Sequence, residues 1–316
     1  MIDNYGRNID YLRISITDKC NLRCRYCMPK NGVPYICHEN ILSFEEIKKI
    51  AKAFVEIGIE KIRITGGEPL VRKNAIDLFS NLSQIKPDID LRLTTNGTLL
   101  KQNINSLKNS GVTTMNVSLD TLNRFKYSHI TRGGNLSDTL SALDKALELG
   151  IKIKLNTVLI GGFNEDEIRE FISLTKSKDI DVRFIELMAI GQASKWNKKR
   201  FISNKIVLNK MNNYTEDFSD PSSPAKYYKL ENHLGKIGLI SPISCKFCKN
   251  CNRVRLTSDG KLKLCLHTDD ELDLKPYLND HETLKKVLIE AIKQKPKEHN
   301  LETGSSIKKN MVAIGG

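Results

Sequence analysis

The sequence has no apolar run that approaches the length of a membrane-spanning helix, and its first residues contain no signal-peptide core. Aromatic residues make up only 6% of the 316 residues, and no recognised RNA- or DNA-binding module accompanies the basic residues. An internal repeat and a low-complexity tract are also lacking. These absences argue against a membrane protein and a nucleic-acid-binding protein, and they predict a cytoplasmic globular protein.

Acidic residues are scarce relative to basic ones. The chain has 50 Lys and Arg against 37 Asp and Glu, which gives a formal charge of +13. A lysine-rich solvated surface, nucleic-acid binding, and a cavity lined with Arg and Lys for a polyphosphate substrate each explain such an excess. Charge alone does not decide among them.

Cysteine, in contrast, is concentrated in two places. Cys20, Cys24 and Cys27 follow the spacing C-x3-C-x2-C in one loop. A tetrahedral zinc ion needs four ligands, whereas three thiolates suit a 4Fe-4S cluster with one iron left without a protein ligand. Three ordinary thiols are the alternative. In a chain with intracellular character, eight cysteines favour metal binding over disulfides.

The loop from Thr17 to Cys27, with Tyr26 before its last cysteine, resembles the signature of the radical S-adenosylmethionine (SAM) enzymes. The resemblance implies that the open iron binds SAM and that electron transfer into SAM yields a 5'-deoxyadenosyl radical. It also implies an α/β fold, a partial (βα)6 TIM-type barrel, with the active site at the C-terminal ends of the strands.

Hydrophobic periodicity agrees with that fold, because predicted strands alternate with predicted helices. Ser43 with Glu46, and Asn164 with Glu167, predict capping boxes at two helix starts. The predicted strands cover 11–17, 61–65, 90–95, 114–118, 152–159 and 181–187. The periodicity fades after residue 191. We therefore predict a barrel over 1–190 and a C-terminal region over 191–316, packed on the barrel opening.

A second set of cysteines, Cys245, Cys248, Cys251 and Cys265, lies in that C-terminal region. Taken alone, these four thiols also suit a zinc knuckle. The run from Cys251 through Arg253 and Arg255 to Cys265 resembles the C-terminal motif of the GTP 3',8-cyclase family, which catalyses the first step of molybdenum cofactor biosynthesis. That resemblance implies a second 4Fe-4S cluster on Cys248, Cys251 and Cys265, and it leaves Cys245 spare. Cys37 has no partner spacing and is predicted to be a buried thiol.

The family resemblance also implies the residues that contact the small molecules. For SAM these are Tyr26, Gly67, Glu68, Thr95, Ser118 and Met188. For GTP they are Arg13, Lys61, Arg63, Lys154, Arg183, Arg253 and Arg255. The terminal Gly315 and Gly316 are implied to reach into the active site for the cyclisation, the alternative being a frayed tail.

By the same resemblance, the chain is expected to be a lyase that converts GTP to 3',8-cyclo-7,8-dihydro-GTP. The deoxyadenosyl radical removes a hydrogen from ribose C3', and C3' then bonds to guanine C8. A flavodoxin or ferredoxin would supply electrons, and a separate synthase would convert the product to cyclic pyranopterin monophosphate; a homodimer stays open. The alternatives are a peptide-maturing radical SAM enzyme with an auxiliary cluster and a zinc-binding nucleic-acid module.

Overall fold

A parallel sheet of six strands forms the centre of the molecule. The computed structural model describes residues 1–34, 36–196, 198–218, 221–299 and 309–315. Each strand pairs with the next one along the chain, in parallel. The strands are β1 (Tyr11–Ser15), β2 (Lys61–Thr65), β3 (Asp90–Thr95), β4 (Val112–Ser118), β5 (Lys152–Leu159) and β6 (Ile180–Glu186). The predicted α/β barrel fold is thereby confirmed.

Helices connect these strands, as parallel pairing requires. They are α1 (Phe44–Glu56), α2 (Ala75–Ser83), α3 (Leu100–Asn109), α4 (Arg124–Thr131), α5 (Leu136–Glu148) and α6 (Ile168–Ser177). Apolar side chains on one face of the sheet, such as Leu12, Ile62 and Leu91, are fully buried in the same core as Phe54 of α1 and Phe79 of α2. The opposite face carries many polar residues and forms the site described below.

The predicted capping box of α1 is present. Ser43 Oγ accepts a hydrogen bond from Glu46 N at 3.1 Å, and the Glu46 carboxylate accepts one from Ser43 N at 2.7 Å. Such a cap contributes about 1 kcal/mol to helix stability, because it satisfies two otherwise unpaired backbone donors.

The capping box predicted at Asn164 and Glu167 is wrong. Asn164 Nδ2 instead donates to the backbone carbonyls of Asp120 and Val158, at 2.7 and 2.8 Å. Glu167 accepts hydrogen bonds from Thr121 Oγ1 and from two further donors. Both side chains therefore fasten the loop after β4, and α6 begins with a 3-10 turn, Glu165–Glu167, that has no side-chain cap.

The residues after β6 extend this sheet at both edges. They form α7 (Lys205–Leu208), β7 (Tyr214–Asp217), β8 (Ala225–Leu230), β9 (Ile237–Ile240), β10 (Arg253–Leu256), β11 (Lys261–Lys263), β12 (Leu272–Asp273) and α8 (His281–Lys293). Strand β9 pairs in parallel with β6, and β10 pairs in parallel with β1. The strand order is β12-β11-β10-β1-β2-β3-β4-β5-β6-β9-β8-β7.

Within the described ranges, no helix has the length and the apolar composition needed to cross a bilayer.

Candidate active site

A cavity of about 330 Å³ lies on the polar face of the sheet. Its walls come from β1 to β6, from the loops that follow these strands, and from the segments 222–224, 247–255 and 311–312. The predicted site residues that line it are Arg13, Cys20, Cys24, Tyr26, Cys27, Lys61, Arg63, Gly67, Thr95, Ser118, Lys154, Arg183, Met188, Arg253 and Arg255.

The first cysteine loop borders this cavity and is held by backbone hydrogen bonds. Cys27 N donates to the Cys24 carbonyl at 2.9 Å, so the two thiols leave a single tight turn. Arg132 Nη1 donates to the carbonyls of Arg23 and Met28 and fixes the loop from outside. Burial raises the pKa of Cys20 to about 11 and that of Cys27 to about 12. These thiols thus lie away from water, where the charged thiolate form is stable only if a nearby cation compensates its negative charge.

The arrangement of the three thiols fits an iron–sulfur cluster. Among the described residues, no three Cys, His, Asp or Glu side chains converge on a point where one metal ion would bind. A cubane cluster does not require such convergence, because each thiolate binds a different iron at a different corner. The loop offers three thiols, one fewer than a structural zinc ion needs and the number that leaves one iron of a 4Fe-4S cluster without a protein ligand.

Gly66 and Gly67 allow the loop after β2 to pack directly on the cysteine loop. A Cβ on Gly67 would lie 2.2 Å from the Lys19 carbonyl oxygen, and one on Gly66 would lie 2.7 Å from the Thr17 carbonyl oxygen. Glu68 follows and donates its backbone N–H to Lys19 O at 2.9 Å. The close approach is thus between two loops of the chain, which fixes the cysteines relative to β2.

Glu68 lies behind the cavity wall rather than in it. Its carboxylate is fully buried and accepts hydrogen bonds from Thr95 Oγ1 at 2.9 Å, Asn96 N at 2.7 Å and Leu70 N at 3.1 Å. Burial raises the pKa of Glu68 to about 7. Any contact of Glu68 with a bound molecule therefore stays a prediction, and so do the roles predicted for Thr95, Ser118 and Met188.

Tyr26 donates a 2.8 Å hydrogen bond to Asp120, a buried carboxylate at the end of β4 that the sequence analysis did not identify. Asp120 also accepts from Val158 N at 3.0 Å. Burial raises the pKa of Asp120 to about 6. The pair connects the cysteine loop to the ends of β4 and β5, so the loop is anchored on both sides of the barrel mouth.

Four arginines form a row across adjacent strands of the cavity floor. Arg255 of β10 is the register partner of Arg13 of β1, Arg13 is that of Arg63 of β2, and Arg63 is that of Arg92 of β3. Arg92 pairs with Asp90, and its Nε donates to Asp90 Oδ1 at 2.7 Å. Like charges on the neighbouring strands β10, β1 and β2 repel each other, so the row favours an anionic ligand. Burial, and then the neighbouring arginines, lower the pKa of Arg13 well below its usual range, and that of Arg255 to about 10.

Tyr11 shows how strong this positive field is. Burial raises the pKa of its phenol, but the charges of Arg63 and Arg13 lower it by more, to about 7. Its hydroxyl accepts a hydrogen bond from Arg63 Nε, and Lys61 Nζ lies 5.4 Å from its ring centroid. The phenol thus adds a group that can carry negative charge to a cavity wall otherwise rich in cations.

Several buried polar atoms on this wall have no partner among the described residues. They are Arg183 Nε and Nη2, Asn116 Oδ1 and Asn156 Oδ1, and all three residues line the cavity. An unpaired buried donor or acceptor costs about 1–3 kcal/mol. Donors and acceptors for a polar molecule are therefore already in place next to the arginine row.

The second set of cysteines lies at the rim of the same cavity. Cys248, Cys251 and Cys265 do not line it themselves, but their neighbours Phe247, Asn252 and Leu266 do. Burial raises the pKa of Cys251, yet Lys295 and Arg253 lower it by more, so that the net shift is downward. Cys245 is exposed, as is Cys37, so the prediction that Cys37 is a buried thiol is wrong.

Gly315 is buried and reaches the arginine row. Arg255 Nη1 donates to the Gly315 carbonyl at 3.0 Å. The Gly315 backbone has φ +68°, and a Cβ there would lie 2.9 Å from Ser15 Cβ and 3.2 Å from Thr65 Cγ2, at the ends of β1 and β2. The described part of the tail thus lies against the barrel; Gly316 falls outside the described residues.

Sequence reasoning missed further cavity residues, chiefly Tyr11, Arg92, Asn116, Asp120 and Asn156. The position of Tyr11 carries a usable signal, because it is two residues from Arg13 on the same strand. Arg92 carries none, because it is three residues from Thr95, the predicted site residue of β3. No signal in the sequence marks Asp120, since its partners come from a distant loop and strand.

Two family models match the chain. The radical SAM superfamily model matches residues 14–175, and the molybdenum cofactor synthesis C-terminal model matches residues 180–301. The GTP 3',8-cyclase of Peptoclostridium acidaminophilum is 53% identical over 319 residues, covering 100% of this chain and 98% of that protein. The GTP 3',8-cyclase of Alkaliphilus oremlandii is 51% identical over 320 residues, covering 100% of both.

The fold also resembles a solved structure, that of Streptococcus suis SuiB bound to S-adenosylmethionine. The TM-score is 0.61 at 14% identity, and the match covers 92% of this chain and 64% of the SuiB chain. At that identity the likeness concerns the fold alone.

The barrel fold, the C-x3-C-x2-C loop and the family model define the class of protein: this chain is a radical SAM enzyme. Membership assigns it an iron–sulfur cluster and SAM. Full-length identity of 45–53% to curated relatives then fixes the family, and the chain belongs to the GTP 3',8-cyclases.

Proposed function

We propose that this enzyme converts GTP to 3',8-cyclo-7,8-dihydro-GTP, the first step of molybdenum cofactor biosynthesis. The observation that carries the proposal is the row of Arg255, Arg13, Arg63 and Arg92 across four adjacent strands. A triphosphate brings about four negative charges, and each charge-assisted hydrogen bond to it is worth roughly 1.5–3 kcal/mol. A bound triphosphate offsets the repulsion among the arginines, so binding of the nucleotide is favoured.

The two cysteine sets flank this phosphate site, which supports a different role for each set. With a 4Fe-4S cluster and SAM bound, the set Cys20, Cys24 and Cys27 would supply the radical that abstracts hydrogen from ribose C3'. Cys248, Cys251 and Cys265 would hold a second 4Fe-4S cluster that binds the guanine edge. SAM would contact Tyr26, Gly67, Glu68, Thr95, Ser118 and Met188, and GTP would contact Arg13, Lys61, Arg63, Lys154, Arg183, Arg253 and Arg255.

The chain's own residues orient the substrate between these centres. The arginine row holds the triphosphate, while Lys61, Lys154 and Arg183 add cations on β2, β5 and β6. Asn116 and Asn156 place unpaired carbonyl oxygens in the same wall, where they can accept hydrogen bonds from ribose hydroxyls. The Gly315 segment lies over the ends of β1 and β2, and it excludes water from the reacting face.

The wider setting follows from this chemistry. Electrons would come from a flavodoxin or ferredoxin, and a downstream synthase would take the product on to cyclic pyranopterin monophosphate. We place the enzyme in the cytoplasm, where both partners and GTP are available. We assign residues 1–190 to the radical SAM barrel with the first cluster, and residues 191–316 to the C-terminal region with the second cluster.

The test is anaerobic incubation of the reduced protein with SAM and GTP. We expect about eight irons per chain, release of 5'-deoxyadenosine, and a cyclised product with the composition of GTP. An Arg253→Ala variant is expected to cleave SAM without giving that product. Zinc without sulfide, or deoxyadenosine formation that is indifferent to GTP, would contradict the proposal.

A further inference from the structure

Lys295 is a buried lysine at the second set of cysteines. Only 2% of its surface is exposed, and it follows the last turn of α8. Its ammonium donates to the Arg253 carbonyl at 2.8 Å and to the Leu264 carbonyl. These carbonyls lie two residues after Cys251 and one residue before Cys265. One side chain therefore joins the two backbone segments that carry these cysteines.

The charge of Lys295 has no carboxylate partner within the described parts of the chain. Burial lowers the pKa of Lys295, and the anionic groups that oppose this are the thiolates of Cys251 and Cys265, while Arg7 and Arg253 add to the lowering. A buried unpaired ammonium is costly unless negative charge lies nearby. The negative charge available here is that of the cysteine thiolates.

The neighbouring Arg7 differs from Lys295 in this respect. Its guanidinium pairs with Asp3 at 2.6 Å, so its charge is compensated locally. It donates to the carbonyls of Cys248 and Lys297 at 3.1 and 3.0 Å, and to those of residues 295 and 296. Arg7 thus fixes the main chain around Cys248, and it holds the segment that presents Lys295.

We propose that Lys295 is a positioning residue for the second cluster, resting on the proposed function for that cluster's presence. It keeps the Cys251 and Cys265 segments in register, and its charge favours the reduced cluster. Reduction adds one electron, and a nearby positive charge in a low-dielectric environment stabilises the added negative charge. The reduction potential of this cluster is therefore higher than it would be with a neutral residue.

The experiment measures that potential in full-length protein that retains only the second cluster, with Cys20, Cys24 and Cys27 replaced by alanine. Lys295→Met removes both the charge and the donors, Lys295→Gln removes the charge and keeps an N–H donor, and Lys295→Arg keeps the charge. Lys293→Met is the matched control, because this lysine pairs with Glu290 in the last turn of α8 and 43% of its side chain is exposed. The readout is an anaerobic redox titration followed by electron paramagnetic resonance.

We expect a lower midpoint potential in Lys295→Met and Lys295→Gln, with Lys295→Arg and Lys293→Met unchanged. Loss of iron from the folded neutral variants, with iron retained in Lys295→Arg, would also support the proposal. Unchanged potentials at full iron content would overturn it, and so would loss of the cluster from Lys295→Arg. The readout needs neither GTP nor SAM, so a failure of cyclisation is distinguishable; a single cluster in the unaltered chain would refute the proposed function first.

Discussion

Replacing Gly315 by alanine should separate SAM cleavage from product formation. The residue has φ +68°, and its carbonyl accepts the hydrogen bond from Arg255. An added Cβ would lie 2.9 Å from Ser15 Cβ, closer than such atoms ordinarily approach. Ser15 and Thr65 belong to paired strands and are almost fully buried, so they have little room to yield.

The expected magnitude follows from two terms. A left-handed backbone costs an L-residue about 1–2 kcal/mol, and the contact with Ser15 adds to that cost. Since 1.4 kcal/mol corresponds to a factor of about ten, the equilibrium constant for docking of the tail should fall by roughly tenfold or more. Formation of the cyclised nucleotide should fall accordingly. SAM cleavage should continue, because Cys20, Cys24 and Cys27 are unchanged and the described part of the tail contributes only the hydrogen bond from Val312 N to Cys27 there.

The assay quantifies 5'-deoxyadenosine and cyclised product from the same anaerobic reaction by liquid chromatography and mass spectrometry. Gly150→Ala is the matched control, because Gly150 has φ +69° after α5 and an added Cβ would meet nothing within 4 Å. It imposes the same backbone strain far from the tail. A wild-type ratio of product to deoxyadenosine in Gly315→Ala would refute the assignment of the tail to the cyclisation step.

Three further predictions concern single side chains. Arg183→Met should weaken GTP binding at least about tenfold in equilibrium dialysis, because two unpaired guanidinium nitrogens are lost; unchanged affinity would exclude Arg183 from the phosphate site. Burial raises the pKa of Asp120 to about 6 from 3.8, so folding favours the protonated form and stability falls as pH rises between these values. Asp120→Asn, which keeps a hydrogen bond to Tyr26, should reduce the change in unfolding free energy between these pH values by roughly 1–3 kcal/mol, measured by urea unfolding of cluster-free protein. An unchanged pH dependence would show that another group causes it. Cys245→Ser should retain all iron and Cys248→Ser should lose about half; the reverse result would exchange their roles.

The sequence was most informative where the determinants are local. Ser43 and Glu46 lie three residues apart and cap α1 as predicted, and β3 and β5 have the predicted bounds. The same capping pattern at Asn164 failed because its amide serves the carbonyls of Asp120 and Val158 instead. A local motif cannot reveal that a distant loop competes for the same side chain.

The parts that escaped prediction depend on tertiary neighbours. Strands β7 to β12 are two to six residues long and show little periodicity, because they are set by pairing with an existing edge. Arg92 can be assigned to the arginine row only once the strand register is known, because the register places it beside Arg63. The three hydrogen bonds that hold the Glu68 carboxylate behind the wall come from Leu70, Thr95 and Asn96 and could not be predicted from the sequence; its contact with SAM stays a prediction.

The pairing of β1 with β10 and of β6 with β9 has a consequence for synthesis of the chain. When the ribosome has released the first six strands, both outer strands still present unpaired amides and carbonyls. One is covered after residue 240 has emerged, and the other only after residue 256. The nascent barrel therefore has two unpaired edges from residue 186 until these strands emerge. Cys245, Cys248 and Cys251 emerge between the pairing of the first edge and that of the second, and Cys265 emerges after both.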